Sequence, residues 1–400
     1  MPHQPLHRDS PWLLALLAAL VALGPLSVDM YLPAMPAMMV ALGTDISHMH
    51  LTLSAYLTGF AIFHLLCGPL ADRFGRKPIL TAGTILFVAA CIGCSQSTSV
   101  EELLLFRFVQ GVGACVGPTL ARAVARDVFG PTRAARALSL IAMLMALAPA
   151  VAPTLGGIML LVVPWPSIFV FLALYGTAMI VLIRLYLAET LPQAQSMHPL
   201  VIARNYGQLF RDPLYISATF ASGLIYSGLL AYLSSSSFIY IEMLGVPVEY
   251  FGFIFLTSVV GYMLGSAISA RLTRYYPPEQ TVMLGATLVI LATGAMWLGG
   301  SLLPRSITAL VLPMVLYATG MGLVLPNAMA LALRPFPHIA GTASALMGFI
   351  QMSLSAAATA LVGAMLRDNA QPLLAFMFIV TLLSLALSAR VYRRRVKTKP

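Results

Sequence analysis

The chain has 400 residues, 60% of them hydrophobic and 9% charged, with a mean hydropathy of +0.90. That composition excludes a soluble globular domain and points to an all-α protein that crosses the membrane many times. A net charge of +10 reflects membrane topology, which concentrates basic residues on one side, and suggests no nucleic-acid partner.

About 20 apolar residues cross a bilayer. Charges, prolines and glycines divide the chain into twelve such stretches, at 12–40, 50–71, 78–98, 102–124, 134–161, 166–188, 213–240, 250–271, 280–300, 306–331, 339–366 and 371–390. The first is too long for a leader peptide and lacks a small-residue cleavage site, so it reads as a retained span. It carries one charge between Ser10 and Thr44, Asp29. A lone acid at membrane depth is costly and marks a site for protons or ligands. Asp29 lies about midway between Arg8 and Asp45, between the bilayer centre and its outer third, where reversible protonation is the chemistry to expect.

In span 2, Tyr56, Phe60 and His64 recur every four residues and share a helical face. The polar segment from Gly68 to Pro78 follows, with Asp72, Arg73, Arg76 and Lys77 inside six positions. Gly68 and Gly75 suit a tight turn there, and Asp72 suits the positive N-terminus of a neighbouring helix. Cys67, Cys91, Cys94 and Cys115 all fall within spans, which implies packing residues and no disulfide framework.

Arg107 in span 4 is five residues beyond Glu102, only about 7 Å from the outer helix end. It either snorkels outward or points into the interior. Gly111, Gly113 and Gly117 leave that helix thin on one side, for helix contact or substrate access. In span 5, Pro149 and Pro153 each delete a backbone hydrogen bond, and small neighbours allow close packing.

The longest interior polar segment, Glu189 to Asp212, separates two sets of six spans. This predicts a six-helix bundle over 1–188, a linker over 189–212, and a second bundle over 213–400 ending in a short basic tail. Span 7 carries Tyr226, Tyr232, Ser235, Ser236 and Phe238, while Asn327 and Gln351 are isolated polar groups in spans 10 and 11. Twenty-two methionines offer soft apolar surface.

With the N-terminus inside, twenty of the 23 basic residues fall in inside loops and tails. Arg305 and Arg367 fall outside, and Arg107 lies within a span. Asp45, Glu101, Glu102, Glu242, Glu249 and Asp368 sit outside. Twelve helices with both ends cytoplasmic satisfy this partition. No HExxH, GxSxG or paired intramembrane acids occur, which disfavours an enzyme, and no signalling domain suggests a sensor. Neither a metal nor a cofactor is expected.

Several of these segments resemble a known family. GPLADRFGRKP (Gly68–Pro78) is similar to the signature between spans 2 and 3 of the major facilitator superfamily, and LLLFRFVQGVGA (Leu103–Ala114) to its span-4 motif. APAVAPTLGG (Ala148–Gly157) resembles the span-5 motif of antiporters, with Ala148 and Ala152 where the ideal has Gly. LSVDMYLPAMP (Leu26–Pro36) and RPFPHIAGTASAL (Arg334–Leu346) look like the Bcr/CflA branch of drug exporters.

The resemblance implies a major facilitator fold, two pseudo-symmetric six-helix bundles around a central cavity that opens alternately to each side. It implies a monomer in the bacterial inner membrane, driven by the proton gradient, exporting small hydrophobic or amphiphilic drugs of the bicyclomycin and chloramphenicol type. The same fold exporting a sugar, nucleobase or amino-acid metabolite is the competing reading. Asp29 and Arg107 are the expected proton-coupling pair. Tyr31, Tyr56, Phe60, Gln110, Gly113, Tyr226, Tyr232, Phe238, Asn327 and Gln351 are candidates for the substrate cavity. Gly68, Asp72, Arg73, Gly75, Arg76 and Arg126 would form the cytoplasmic gate, with Asp72 against the start of span 11 around His338 to Thr342. Pro149, Pro153, Gly156 and Gly157 carry the antiporter motif.

Overall fold

Helices account for every regular element in the computed structural model, which describes residues 11–191, 199–367 and 369–398. Side chains are described at these positions except 11, 130–147, 150, 199–203, 338 and 394–398. Arg8, Asp368, Lys399 and part of the expected linker, 192–198, lie outside the described residues. Eleven candidate spans are long and apolar enough to cross a membrane, and the apolar helix Val151–Val162 is a shorter twelfth. The chain is thus a multi-pass helical membrane protein.

The first span is broken. Helix α1 (Pro11–Asp29) gives way to a 3₁₀ turn, Leu32–Ala34, and then to a short helix α2 (Met35–Ala41). Proline is the cause: Pro33 and Pro36 bring no N–H to the carbonyls four residues earlier, those of Asp29 and Leu32. The turn instead closes through three-residue bonds, Ala34 N to Tyr31 O at 3.0 Å and Met35 N to Leu32 O. The break therefore falls immediately after the intramembrane acid.

Helix α3 (Ile46–Phe74) runs straight through Gly68 and Pro69, and α4 (Arg76–Gln96) starts after one residue, Gly75, at φ +101°. The predicted turn is therefore one residue long. Gly68 takes no part in it, because it sits inside a helix with open space where a Cβ would be. Helix α5 (Val100–Ala114) begins with reciprocal caps: Ser99 Oγ accepts from the Glu102 amide and Glu102 Oε2 from the Thr98 amide.

Where the sequence predicts separate spans 4 and 5, the backbone stays helical from Val116 to Val162, as α6. A straight helix would carry Gly117 and Gly156 about 58 Å apart. Both lie instead against the first span, Gly117 at the Leu20 carbonyl and Gly156 at the Met30 carbonyl, points only about 15 Å apart along that span. The chain thus reverses between them and both spans exist, joined without an irregular loop. Helix α7 (Pro166–Tyr186) completes this part.

The remaining helices are α8 (Pro199–Arg211), α9 (Pro213–Ser237), α10 (Val248–Leu272), α11 (Pro278–Leu302), α12 (Ile307–Leu333), α13 (Ala340–Met365) and α14 (Gln371–Thr398). Helix α9 continues as a π-helical turn, Phe238–Met243. Two compact units emerge: Met1–Thr44 with Ala55–His198, and Asp45–Ser54 with Pro199–Pro400. The first turns of α3 thus group with the second unit. The second half of the expected linker is helix α8, also in that unit, with Leu209 buried and contacts to α9 and α13.

Inside the first unit α1 packs on α6, and α4 on both α5 and α7. Inside the second, α12 packs on α10 and α11, and α9 on α13 and α14. Because lipid is as apolar as leucine, close backbone approach drives such packing, and glycines supply it. Gly59 and Gly111 bring α3 and α5 together, each facing backbone atoms of the other helix. Gly261, Gly265 and Gly322 do the same between α10 and α12. Gly363 makes room on α13 for the buried His50, which bonds the Thr359 carbonyl at 3.3 Å and stacks on Phe238.

Candidate transport site

Asp29 is buried, 4% exposed, and its carboxylate forms no hydrogen bond or ion pair among the described residues. Arg107 is fully buried. Its Nη1 donates to the Ser27 carbonyl at 3.1 Å and to Gln110 Oε1 at 2.6 Å. The guanidinium carbon lies 4.2 Å from the Tyr31 ring centroid, 4.5 Å from that of Tyr56 and 6.0 Å from that of Phe169. Desolvated cation–π contacts stabilise a charge by about 2 kcal/mol, so the rings take the place of an acid. Nε and Nη2 of Arg107 have no hydrogen-bond partner among the described residues.

Arg107 thus points inward and does not snorkel. The expected pair with Asp29 is not formed. Helical periodicity explains this, since Ser27 and Tyr31 lie four residues apart on one face of the first span, whereas Asp29 is rotated about 200° from Ser27. The acid and the arginine serve opposite sides of the same segment. Gln110 continues the network, its Nε2 donating to Cys91 Sγ at 3.1 Å.

Tyr56, Phe60 and His64 do stack along α3, with ring centroids 6.4 and 5.9 Å apart. Tyr56 donates to the Gly24 carbonyl at 3.3 Å, and His64 Nδ1 meets Thr119 Oγ1 at 3.2 Å and Cys115 Sγ at 3.5 Å. Gly111, Gly113 and Gly117 sit at close helix contacts: a Cβ on Gly113 would press on the α4 backbone at Gly83 and Phe87. In span 5, Gly156 packs on Met30 and Pro33, so the antiporter-like segment rests on the break beside Asp29. Ala152, Pro153 and Gly157 are buried there, and Pro149 is half-buried.

In the second unit, the Tyr232 and Tyr240 hydroxyls bond each other at 2.6 Å. Asn327 Nδ2 donates to Ser269 Oγ at 2.7 Å and to the Leu323 carbonyl, and Gln351 donates to Ser222 Oγ at 3.3 Å. Phe238 is buried and Tyr226 half-buried. These polar groups satisfy one another within their unit. Glu279, a second buried acid that sequence reasoning did not single out, is paired with Arg334 at 3.0 Å.

The turn between α3 and α4 is clipped from the far end of its own unit. Asp72 pairs with Arg76 at 2.7 Å, and Arg76 reaches Asp127 at 3.2 Å. Arg73 and Arg126 are exposed. Glu189 accepts from the amides of Arg76 and Lys77 at 2.9 and 3.1 Å, and from those of Thr190 and Leu191 at 2.8 and 2.9 Å. Burial alone would raise the Glu189 carboxyl, but the amides of Leu191, Arg76, Lys77 and Thr190 outweigh it and hold it below the usual value. Sequence reasoning missed Glu189 and Asp127. The signal for Glu189 was present: α4 opens on Gly75, which has no side chain to cap it, so its first amides need an acceptor from elsewhere.

A sequence model of the Major Facilitator Superfamily matches residues 17–360. The chain belongs to the Major Facilitator Superfamily. It is 32% identical over 387 residues to an uncharacterized MFS-type transporter, YdgK, of Bacillus subtilis, and 30% identical over 387 residues to a bicyclomycin resistance protein homolog of Haemophilus influenzae, in both cases covering 96% of each chain. It is 31% identical over 378 residues to the multidrug resistance protein MdtL of a Shewanella species, covering 93% of each. Among solved structures, a bacterial homolog of the human lysosomal transporter Spinster, inward-facing and unoccupied, aligns with TM-score 0.75 at 16% identity, over 96% of this chain and 97% of that one. A D-xylose-proton symporter aligns with TM-score 0.74 at 13% identity, over 93% and 97%. These likenesses show the major facilitator fold. Membership makes the chain a transporter and not an enzyme.

Proposed function

We propose that this major facilitator is a proton-coupled exporter of small hydrophobic or amphiphilic drugs, working by alternating access in a bacterial inner membrane with both termini cytoplasmic. The observation that carries the reading is Asp29, a buried carboxylate with no hydrogen bond or ion pair among the described residues, at the break in the first span. A charge at such depth costs about 2.5 to 3.5 kcal/mol on insertion scales. Each step of a transport cycle must therefore either protonate Asp29 or bring a cation to it, and that alternation couples protons to cargo. The neighbouring arginine, held by aromatic rings and carbonyls instead of an acid, is a cation Asp29 can gain by rotation of the broken segment.

Export of drugs, as opposed to metabolites, is supported by the names of the relatives and by the span-5 motif resting on Met30 and Pro33. The driving force suffices, since one proton crossing 100 mV yields about 2.3 kcal/mol, enough for roughly a fifty-fold cargo gradient. The test is uptake of chloramphenicol and of bicyclomycin into inside-out vesicles from cells lacking their own drug pumps. Accumulation that collapses when a protonophore is added supports the proposal. Accumulation indifferent to the protonophore, or seen for a sugar or amino acid but neither drug, contradicts it.

A further inference from the structure

The first unit carries a groove of about 700 Å³ where the end of α3, the start of α4 and the end of α7 meet. Arg73, Lys77 and Arg184 supply its cationic rim, and Phe74, Ile85 and Leu191 its apolar wall. Among the described residues none of these three cations is in an ion pair. Lys77 Nζ donates to the Arg184 carbonyl at 3.1 Å, and the Arg73 guanidinium lies over the Phe74 ring. The acid in the lining, Glu189, already accepts four backbone amides. The rim is therefore strongly positive.

An apolar track leads away from it. Pro78, Ala82, Ile85, Ala89 and Ile92 are exposed at spacings of four and three residues, one continuous stripe down the outer face of α4. In a membrane such a stripe is met by lipid chains. A positive rim at the end of a span, joined to an apolar groove along it, has the shape and polarity of one lipid species.

We propose that this groove binds an anionic phospholipid, its phosphate among Arg73, Lys77 and Arg184 and an acyl chain along α4 from Ala82 to Ile92. A soluble anion would use the rim but not the track, and a zwitterionic lipid brings its own cation to a rim that has three. The Lys77 amide is held by Glu189 while its ammonium lines the groove, so the head group acts on the same turn that holds Asp72 and Arg76.

The test titrates the purified full-length protein in neutral detergent with phosphatidylglycerol, and separately with phosphatidylcholine of the same acyl chains, counting retained lipid by native mass spectrometry. Phosphatidylglycerol is expected to bind at least about ten-fold more tightly. Each basic group near a head group contributes about five-fold, so Arg184→Gln should weaken it about five-fold and Lys77→Gln with Arg184→Gln about 25-fold. Arg184→Gln alone removes no side-chain bond described here, so it separates lipid binding from folding. Arg271→Gln with Arg274→Gln, on α10 and beyond, should leave the affinity as it was. Equal binding of the two lipids, unchanged affinity in both groove variants, or displacement of the lipid by millimolar inorganic phosphate would each overturn the proposal.

Discussion

At Arg107 a positive charge is stabilised by rings and carbonyls. A lysine in its place keeps the charge but loses the planar donor fork and the flat face that lies on Tyr31 and Tyr56. Arg107→Lys should therefore bind drug near normally while transporting it at least several-fold more slowly, read by binding and flux in the same proteoliposomes. Equal flux would mean that the arginine is there only to fill space. Asp29 was legible in the sequence, since any charge in that span is conspicuous. Its separation from Arg107 was not, because it depends on which face of the first span each residue meets, and Tyr31, Tyr56 and Phe169 come from three different spans. The same limit hid His50, whose partners Thr359 and Phe238 lie far along the chain.

Helix contacts explain which glycines matter. A Cβ on Gly111 would run into the Tyr56 carbonyl, a backbone atom that cannot swing aside, whereas one on Gly68 meets nothing within 4 Å. Overpacking costs about 1 to 3 kcal/mol, and a helical glycine costs about 1 kcal/mol relative to alanine. Thermal unfolding in detergent should thus fall by several degrees for Gly111→Ala and hold or rise slightly for Gly68→Ala. The clip at Gly75 gives an element-scale pH effect. Glu189 has a depressed carboxyl pKa, so its contribution is complete above the ordinary glutamate value of 4.5 and is lost as pH falls through the lower folded value. The gap in melting temperature between the parent and Glu189→Gln should be widest near pH 7 and narrow on acidification below about 4.5. A gap that grows on acidification would contradict the assignment. The capping need of α4 was readable from Gly75; which acid met it was not.

For the whole molecule, the number of spans was legible because lipid demands about 20 apolar residues per crossing. Where the polar breaks fell, the structure follows them closely, as at Ser97 to Ser99 and Leu303 to Ser306. It departs in two places: α6 turns back between spans 4 and 5 without an irregular loop, and half of the polar segment at 189–212 forms α8. Charge counts alone could not foresee either, because an amphipathic helix and a polar linker share a composition. The proposed proton coupling of this transporter rests on one acid, and one comparison tests it. Parent and Asp29→Asn are reconstituted into proteoliposomes, and drug movement is followed with and without an imposed pH gradient. The variant should still exchange drug down its own gradient but no longer accumulate it when the pH gradient is applied, with Asp29→Glu keeping part of that accumulation. Gradient-driven accumulation by Asp29→Asn at the parent rate would contradict it.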